Sequence, residues 1–172
     1  MVDTLAISVR RATPDDAPEL TDLVNAAYAI EKSFFDGDRT DEDEIAAMTE
    51  SGLFLVLEQA GGLAAAVYLE RRGNMAYFGM LSVRPELQGM GLGKRLVRIC
   101  EAMAEATGAS AMTLRIVSLR EELGRWYRGL GYREVGTSPL THRAMKRPCH
   151  FVDMHKDLGS SASIQLGSLG AA

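Results

Sequence analysis

Apolar and polar positions alternate with period two from Ile7 to Ala12, which predicts a strand. Thr13-Pro14-Asp15-Asp16 then opens a helix: Thr13 suits the cap, Pro14 the first turn, and the acids the positive end of the helix dipole. Leu20, Leu23, Val24 and Ala27 form one apolar stripe at helical spacing. A polar loop runs from Asp36 to Thr40, and Thr40 is the expected cap of a second helix near 41–50. Two apolar runs follow, Leu53–Leu57 and Leu63–Leu69, separated by the hairpin signal Gly61-Gly62. After a turn at Asn74, Ala76–Val83 completes a meander. Leu92, Leu96, Ile99, Cys100 and Met103 share one helical face, and Gly108 ends that helix. Met112–Val117 reads as a strand, and Ser118-Leu119-Arg120-Glu121 as a capping box. Its helix carries Leu123, Trp126, Tyr127 and Leu130. Tyr132–Val135 and Phe151–Met154 are the last strands. The order is βααβββαβαββ, an α/β chain with a mostly antiparallel sheet.

Composition narrows the class. With 47% hydrophobic and 24% charged residues in 172, the chain is an ordinary globular one, long enough for a single well-buried core. Cys100 and Cys149 lack zinc or disulfide spacing, so no metal is expected. The longest apolar run, Leu63–Leu69, is too short to span a bilayer, and no export signal is visible. A cytoplasmic protein without membrane attachment is the expectation. Charge is uneven: residues 1–86 hold 16 acids and 7 bases, residues 87–172 hold 7 acids and 12 bases. The net of -4 argues against nucleic acid as partner, while the basic half suits a smaller anion. Residues 159–172, rich in Gly, Ser and Ala, read as a mobile tail after a domain spanning 1–158.

The candidate chemistry lies between a strand and a helix, in Gln88-Gly89-Met90-Gly91-Leu92-Gly93. Glycines let a ligand approach the backbone, and a helix start aims free N–H groups at an anion such as pyrophosphate. Lys94, Arg95 and Arg98 add positive charge. A P-loop would need Gly where Gln88 stands and Ser or Thr where Arg95 stands. A dinucleotide fingerprint would need Gly where Lys94 stands, directly after a strand. Gln-x-x-Gly-x-Gly after a strand ending in Val-x-Pro fits without a gap. A tight turn that binds nothing is the plainer alternative.

The stretch Met80-Leu81-Ser82-Val83-Arg84-Pro85-Glu86-Leu87-Gln88-Gly89-Met90-Gly91-Leu92-Gly93-Lys94-Arg95-Leu96 resembles the acetyl-CoA signature of the GCN5-related N-acetyltransferases (GNAT). The helix ending Tyr127-Arg128-Gly129-Leu130-Gly131-Tyr132 is similar to the family's Tyr-x-x-x-Gly-aromatic. Element order agrees over roughly residues 7–158. The resemblance implies a single GNAT-like α/β domain. Its mixed sheet would splay between two central parallel strands, Ala76–Val83 and Met112–Val117, flanked by about four helices. It further implies acetyl-CoA, as cosubstrate, held by Leu81, Ser82 and Val83 along the pantetheine and by the loop Gln88, Gly89, Met90, Gly91, Leu92, Gly93 and Lys94 at the pyrophosphate. The Leu81 N–H would be the oxyanion donor, acting where charge develops. Tyr127 would protonate the leaving thiolate, since a phenol near pKa 10 keeps its proton at neutral pH.

Two positions depart from the family. Arg120 stands where many relatives have Asn against the pantetheine. Tyr77 occupies the place of a strand glutamate that serves some relatives as base. His142, His150, Glu31 and Glu58 are the alternative candidates. Cys149-His150 does not make a nucleophile pair, because neighbours in a strand face opposite ways. A small-molecule primary amine is the expected acceptor, and the resemblance admits a homodimer. Tyr28, Glu31 and Phe34, with the acids of the same loop, suit a cationic amine; His142, Arg143, Lys146 and Arg147 instead suit a carboxylate. The competing expectations are acetylation of a peptide or protein N-terminus and a non-catalytic acyl-CoA binding module.

Overall fold

The computed structural model describes residues 6–159, so the expected mobile tail lies, apart from Gly159, outside the described residues. Strand β1 (Ser8–Arg11) leads through a 3-10 turn (Pro14–Asp16) into helix α1 (Ala17–Ala27). A second 3-10 segment, Ala29–Ser33, precedes α2 (Glu42–Ser51). The meander is β2 (Leu53–Gln59), β3 (Gly62–Arg72) and β4 (Met75–Val83). Then follow α3 (Leu92–Ala106), β5 (Ala111–Val117), α4 (Glu121–Gly129), β6 (Arg133–Ser138) and β7 (Phe151–Asp157).

The seven strands form one sheet in the order β1-β2-β3-β4-β5-β7-β6. Every neighbouring pair is antiparallel except β4–β5. The architecture is the expected α/β domain with its parallel central pair. Two of the expected caps are corrected. Asp41, not Thr40, caps α2, accepting from the Glu44 N–H at 2.8 Å. Thr40 instead donates its hydroxyl to the Glu44 carboxylate at 2.6 Å. A carboxylate one residue nearer the helix makes the stronger acceptor for its free N–H groups. Ser118 forms no capping box either. Arg120 precedes α4 without a side-chain cap, and the Ser118 hydroxyl accepts from the His150 N–H at 3.2 Å.

Two cores sandwich the sheet. One packs Phe78, Leu114 and Ile116 against Leu96, Cys100 and Tyr127 of α3 and α4. The other packs Phe54, Val56 and Met80 against Leu20, Leu23 and Val24 of α1 and Ile45 of α2. These faces explain the apolar stripes: one side of each helix is removed from water. Cys100, on the α3 stripe, is fully buried, and burial raises its thiol to about 12. It is a core residue.

Strand β4 changes face partway along. Ala76 and Phe78 point to the α3–α4 core, Met80 to the α1–α2 core, and Leu81 and Val83 back toward α3 and α4. Strict alternation would put Met80 with Phe78 and Leu81 opposite. The pairing with β3 slips between Ala66 and Tyr68, whose partners are Ser82 and Gly79, so β4 carries one extra residue there. Met80 takes φ +49, a left-handed conformation unusual for a side-chain-bearing residue. This is a β-bulge.

Candidate active site

The bulge coincides with a gap in the sheet. β4 and β5 pair only at Ala76–Met112 and Tyr77–Thr113. Beyond Tyr77 the edge of β4 that faces β5 has no ladder partner, while β5 stays fully paired to β7 from Ala111 to Val117. The strands splay, and Leu81 lies on the diverging stretch.

A groove of about 640 Å³ runs from this splay to the start of α3. Of the sequence-expected residues, Leu81, Val83, Gln88, Gly89, Gly91, Leu92, Gly93, Lys94 and Arg120 line it, together with Tyr127 and Tyr28. Two do not. Ser82 is buried, its hydroxyl donating to the Met80 carbonyl at 3.0 Å, and the Met90 side chain stands out in solvent. Gly89 and Gly91 both have φ +81, which only glycine adopts without strain, and Gly91 is the residue from which α3 starts. No side chain caps α3. Its first intrahelical bond runs from the Arg95 N–H to the Gly91 carbonyl (3.0 Å), leaving the preceding N–H groups pointing outward. An uncapped terminus of a 15-residue helix, with Lys94 beside it, suits an anion.

A second chamber, of about 150 Å³, adjoins the groove at the splay. Leu81, Leu123, Tyr28 and Tyr127 line both spaces and mark the junction. Tyr127 comes from α4 and is held by Trp126 (4.8 Å between ring centroids), Tyr132 (5.8 Å) and Phe78 (6.0 Å). Burial, and then the neighbouring phenols Tyr28 and Tyr77, push its pKa well above 10. Tyr28 is likewise raised by burial, to about 12. Both hydroxyls stay protonated across any working pH.

The chamber is roofed by the loop between β6 and β7. Phe35 and Met145 form an isolated bridge, the Asp36 N–H donates to the Ala144 carbonyl (3.0 Å), and the Lys146 N–H donates to the Phe34 carbonyl (2.8 Å). Glu31 is buried beneath the roof, between two guanidiniums: Arg143 at 2.7 Å and Arg120 at 3.3 Å. Phe34, expected at the acceptor, lines neither cavity. It packs with Phe35, Val117 and Leu140 in a small third core.

The base candidates separate. Glu58 is paired with Arg10 on β1 (2.9 Å), remote from the chamber lining, and His150 does not line it either. Glu31 and His142 do. Each Glu31 oxygen already holds an arginine, whereas His142 stacks on Phe151 with ring centroids 5.7 Å apart. Burial, then Arg39 and Arg143, lower the His142 pKa below its usual 6.5, so it rests neutral. Arg39, Arg115, Trp126 and Leu123 also line these cavities and were not singled out from sequence as site residues. Trp126 was legible only as a stripe residue beside Tyr127. Arg39 is a lone base in a loop of acids and aromatics, and nothing in its spacing marks it. Among the described residues no cluster of His, Cys, Asp and Glu is placed to hold a metal, and no helix is long and apolar enough to cross a membrane.

The sequence model of the acetyltransferase (GNAT) domain matches residues 23–158. No curated protein sequence matches the chain significantly. Among solved structures the fold is similar to a putative acetyltransferase from Salmonella typhimurium determined with its cofactor acetyl-CoA (TM-score 0.71, 22% identity, covering 92% of this chain and 97% of that one). It is also similar to the ribosomal-protein-S18-alanine N-acetyltransferase from Escherichia coli (TM-score 0.68, 21% identity, 92% and 98% covered). A third is an IAA acetyltransferase from Bacillus cereus (TM-score 0.67, 19% identity, 89% and 100% covered).

Proposed function

The chain belongs to the GNAT acetyltransferase family, and we propose that it moves the acetyl group of acetyl-CoA directly onto the primary amine of a small molecule. The observation that carries this reading is the pair of adjoining cavities sharing Leu81 and Tyr127: an open groove ending at an uncapped helix start, and a small roofed chamber. The groove residues fit the cosubstrate. Backbone N–H groups from Gln88 to Lys94 would hold the pyrophosphate, and the unpaired edge from Leu81 to Val83 the pantetheine arm. Arg120 reaches the groove despite departing from the family pattern.

Acetyl-CoA supplies an activated acyl thioester. The Leu81 N–H, fixed by the bulge, is the donor for the carbonyl oxygen as charge grows on it. Tyr127 keeps its proton until the thiolate departs, then donates it. The amine's proton leaves through water to His142, which lines both the chamber and an outer pocket of about 570 Å³. The size and roof of the chamber favour a small acceptor over an extended peptide.

Thiol release from acetyl-CoA across a panel of primary amines tests this, with CoA binding measured by calorimetry on the same sample. Turnover of small amines supports the reading. Turnover of peptides alone replaces the acceptor class, and tight CoA binding without any turnover favours a binding module.

Two further outcomes are expected. Gly91→Val should weaken CoA binding about tenfold or more, because a β-branched residue cannot hold φ +81 and the relaxed turn swings its N–H groups away. Unchanged affinity would remove the loop from the cofactor site. For His142, the neutral form accepts the proton and its pKa is lowered. The kcat profile should therefore fall only as pH drops through a value below 6.5, and His142→Gln should abolish that limb and lower kcat about tenfold or more.

A further inference from the structure

The chamber wall carries more positive charge than it can neutralise. Arg39, Arg115 and Arg143 line it against one carboxylate, Glu31. Glu31 is shared between Arg143 and Arg120, and Arg115 has Asp153 at 3.3 Å. Arg39 has no carboxylate partner among the described residues; its guanidinium lies 5.6 Å from the Tyr28 ring centre. The acids of the outer pocket are engaged elsewhere: Asp38 with Lys32 (2.8 Å), Asp36 with Lys146 (3.7 Å), and Asp41 and Glu44 at the start of α2. The Arg143 side chain is nine-tenths buried, and its Nε has no hydrogen-bond partner. Arg120 also holds Glu122, so four guanidiniums meet three carboxylates, Glu31, Asp153 and Glu122, and one positive charge, that of Arg39, is left over in a small space. Such charge is costly unless an anion meets it.

The excess also has a position. Arg39 and Arg143 line the chamber and the outer pocket but not the cofactor groove, so they lie away from the junction marked by Leu81 and Tyr127. An acceptor whose amine reaches the junction would turn its other end toward these arginines. The planar guanidinium matches a carboxylate bidentately.

We propose that the acceptor is a primary amine that also bears a carboxylate, an amino-carboxylic acid, with the carboxylate bound by Arg39 and Arg143 at the outer end of the chamber. This rests on the acetyltransferase reading above, but it is tested by binding as well as by turnover. The full chain, loaded with CoA, is titrated calorimetrically with N-acetyl amino acids and with their uncharged amides. Thiol release is measured in parallel with the free amino acids and amino amides.

The expected result is that one or more acids bind and turn over at least about 10²-fold better than the matching amides, as a site built to bond a group rejects an analogue lacking it. Arg39→Gln should erase that preference without changing CoA affinity, since Arg39 does not line the groove. Arg39 is chosen because Arg143 holds buried Glu31, and its loss endangers the fold. Amides that bind and turn over as well as acids would overturn the carboxylate site and leave the acetyltransferase intact. Binding of no acid at all would overturn it too. Acids that bind in an Arg39-dependent manner without turnover would uphold the site and sink the transfer reading instead.

Discussion

Replacing Tyr127 by Phe is expected to lower kcat by about 10²-fold or more while leaving CoA affinity unchanged. The ring would keep its packing on Trp126, Tyr132 and Phe78. The hydroxyl it loses has no hydrogen-bond partner among the described residues and lies where groove and chamber meet, so stability should change little. The loss would fall on the step in which the thiolate needs a proton. With the Tyr127 pKa pushed well above 10, the wild-type profile should show no alkaline decline from this group below pH 10. Steady-state kinetics beside calorimetry separates the outcomes: parallel losses in kcat and CoA binding would make Tyr127 a packing residue, and retained kcat would assign the proton to another donor.

The second large effect concerns Glu31. Glu31→Ala would leave the Arg143 guanidinium, its side chain only 10% exposed, without a counter-ion among the described residues, while Arg120 would keep Glu122 alone. Breaking a buried pair from one side costs about 3–5 kcal/mol. A denaturant midpoint should fall accordingly, and Glu31→Gln, which keeps acceptor oxygen but loses charge, should fall less. Glu31 joins three segments: the 3-10 stretch Ala29–Ser33, the start of α4 at the groove, and the β6–β7 roof. Losing it should also raise the KM for the acceptor. A stability loss below about 1 kcal/mol would mean that the arginines find other anions or water, as exposed pairs do.

The sequence made the element order legible because each helix buries one stripe and each strand carries a short apolar run between turn signals. The groove was legible for a related reason: backbone N–H groups at a helix start require glycine at particular positions, and glycine is visible. What the sequence hid depends on long-range packing. Glu31 read as one carboxylate of an acidic loop; its burial depends on Arg120 and Arg143, 89 and 112 residues away. Phe34 read as an acceptor contact, but Val117 and Leu140 claim it. Caps failed by one residue at Asp41 because Thr40 and Asp41 both suit the position, and only the folded turn decides. The excess charge of the chamber was half visible in His142 and Arg143, while Arg39 and Arg115 join them only through the fold.

The bulge at Met80 also acts as a frame-setter for the gene. Upstream of it, even-numbered residues of β4 face α3 and α4; downstream, odd-numbered ones do. Deleting the codon for Met80 would restore unbroken alternation, with the next residue inheriting its place. Leu81 and Val83 would then slide into the places of Met80 and Ser82, which restored alternation puts on the α3–α4 side, so their side chains could still face the groove. The loss would fall on the backbone. The kink would vanish, and β4 could rejoin the β5 ladder across the gap where a ligand's atoms would lie. A point substitution at Met80 tunes this strand; an in-frame deletion there would close it. Natural or engineered length variation should therefore be tolerated in the Gly73-Asn74 turn before β4 and purged within the strand.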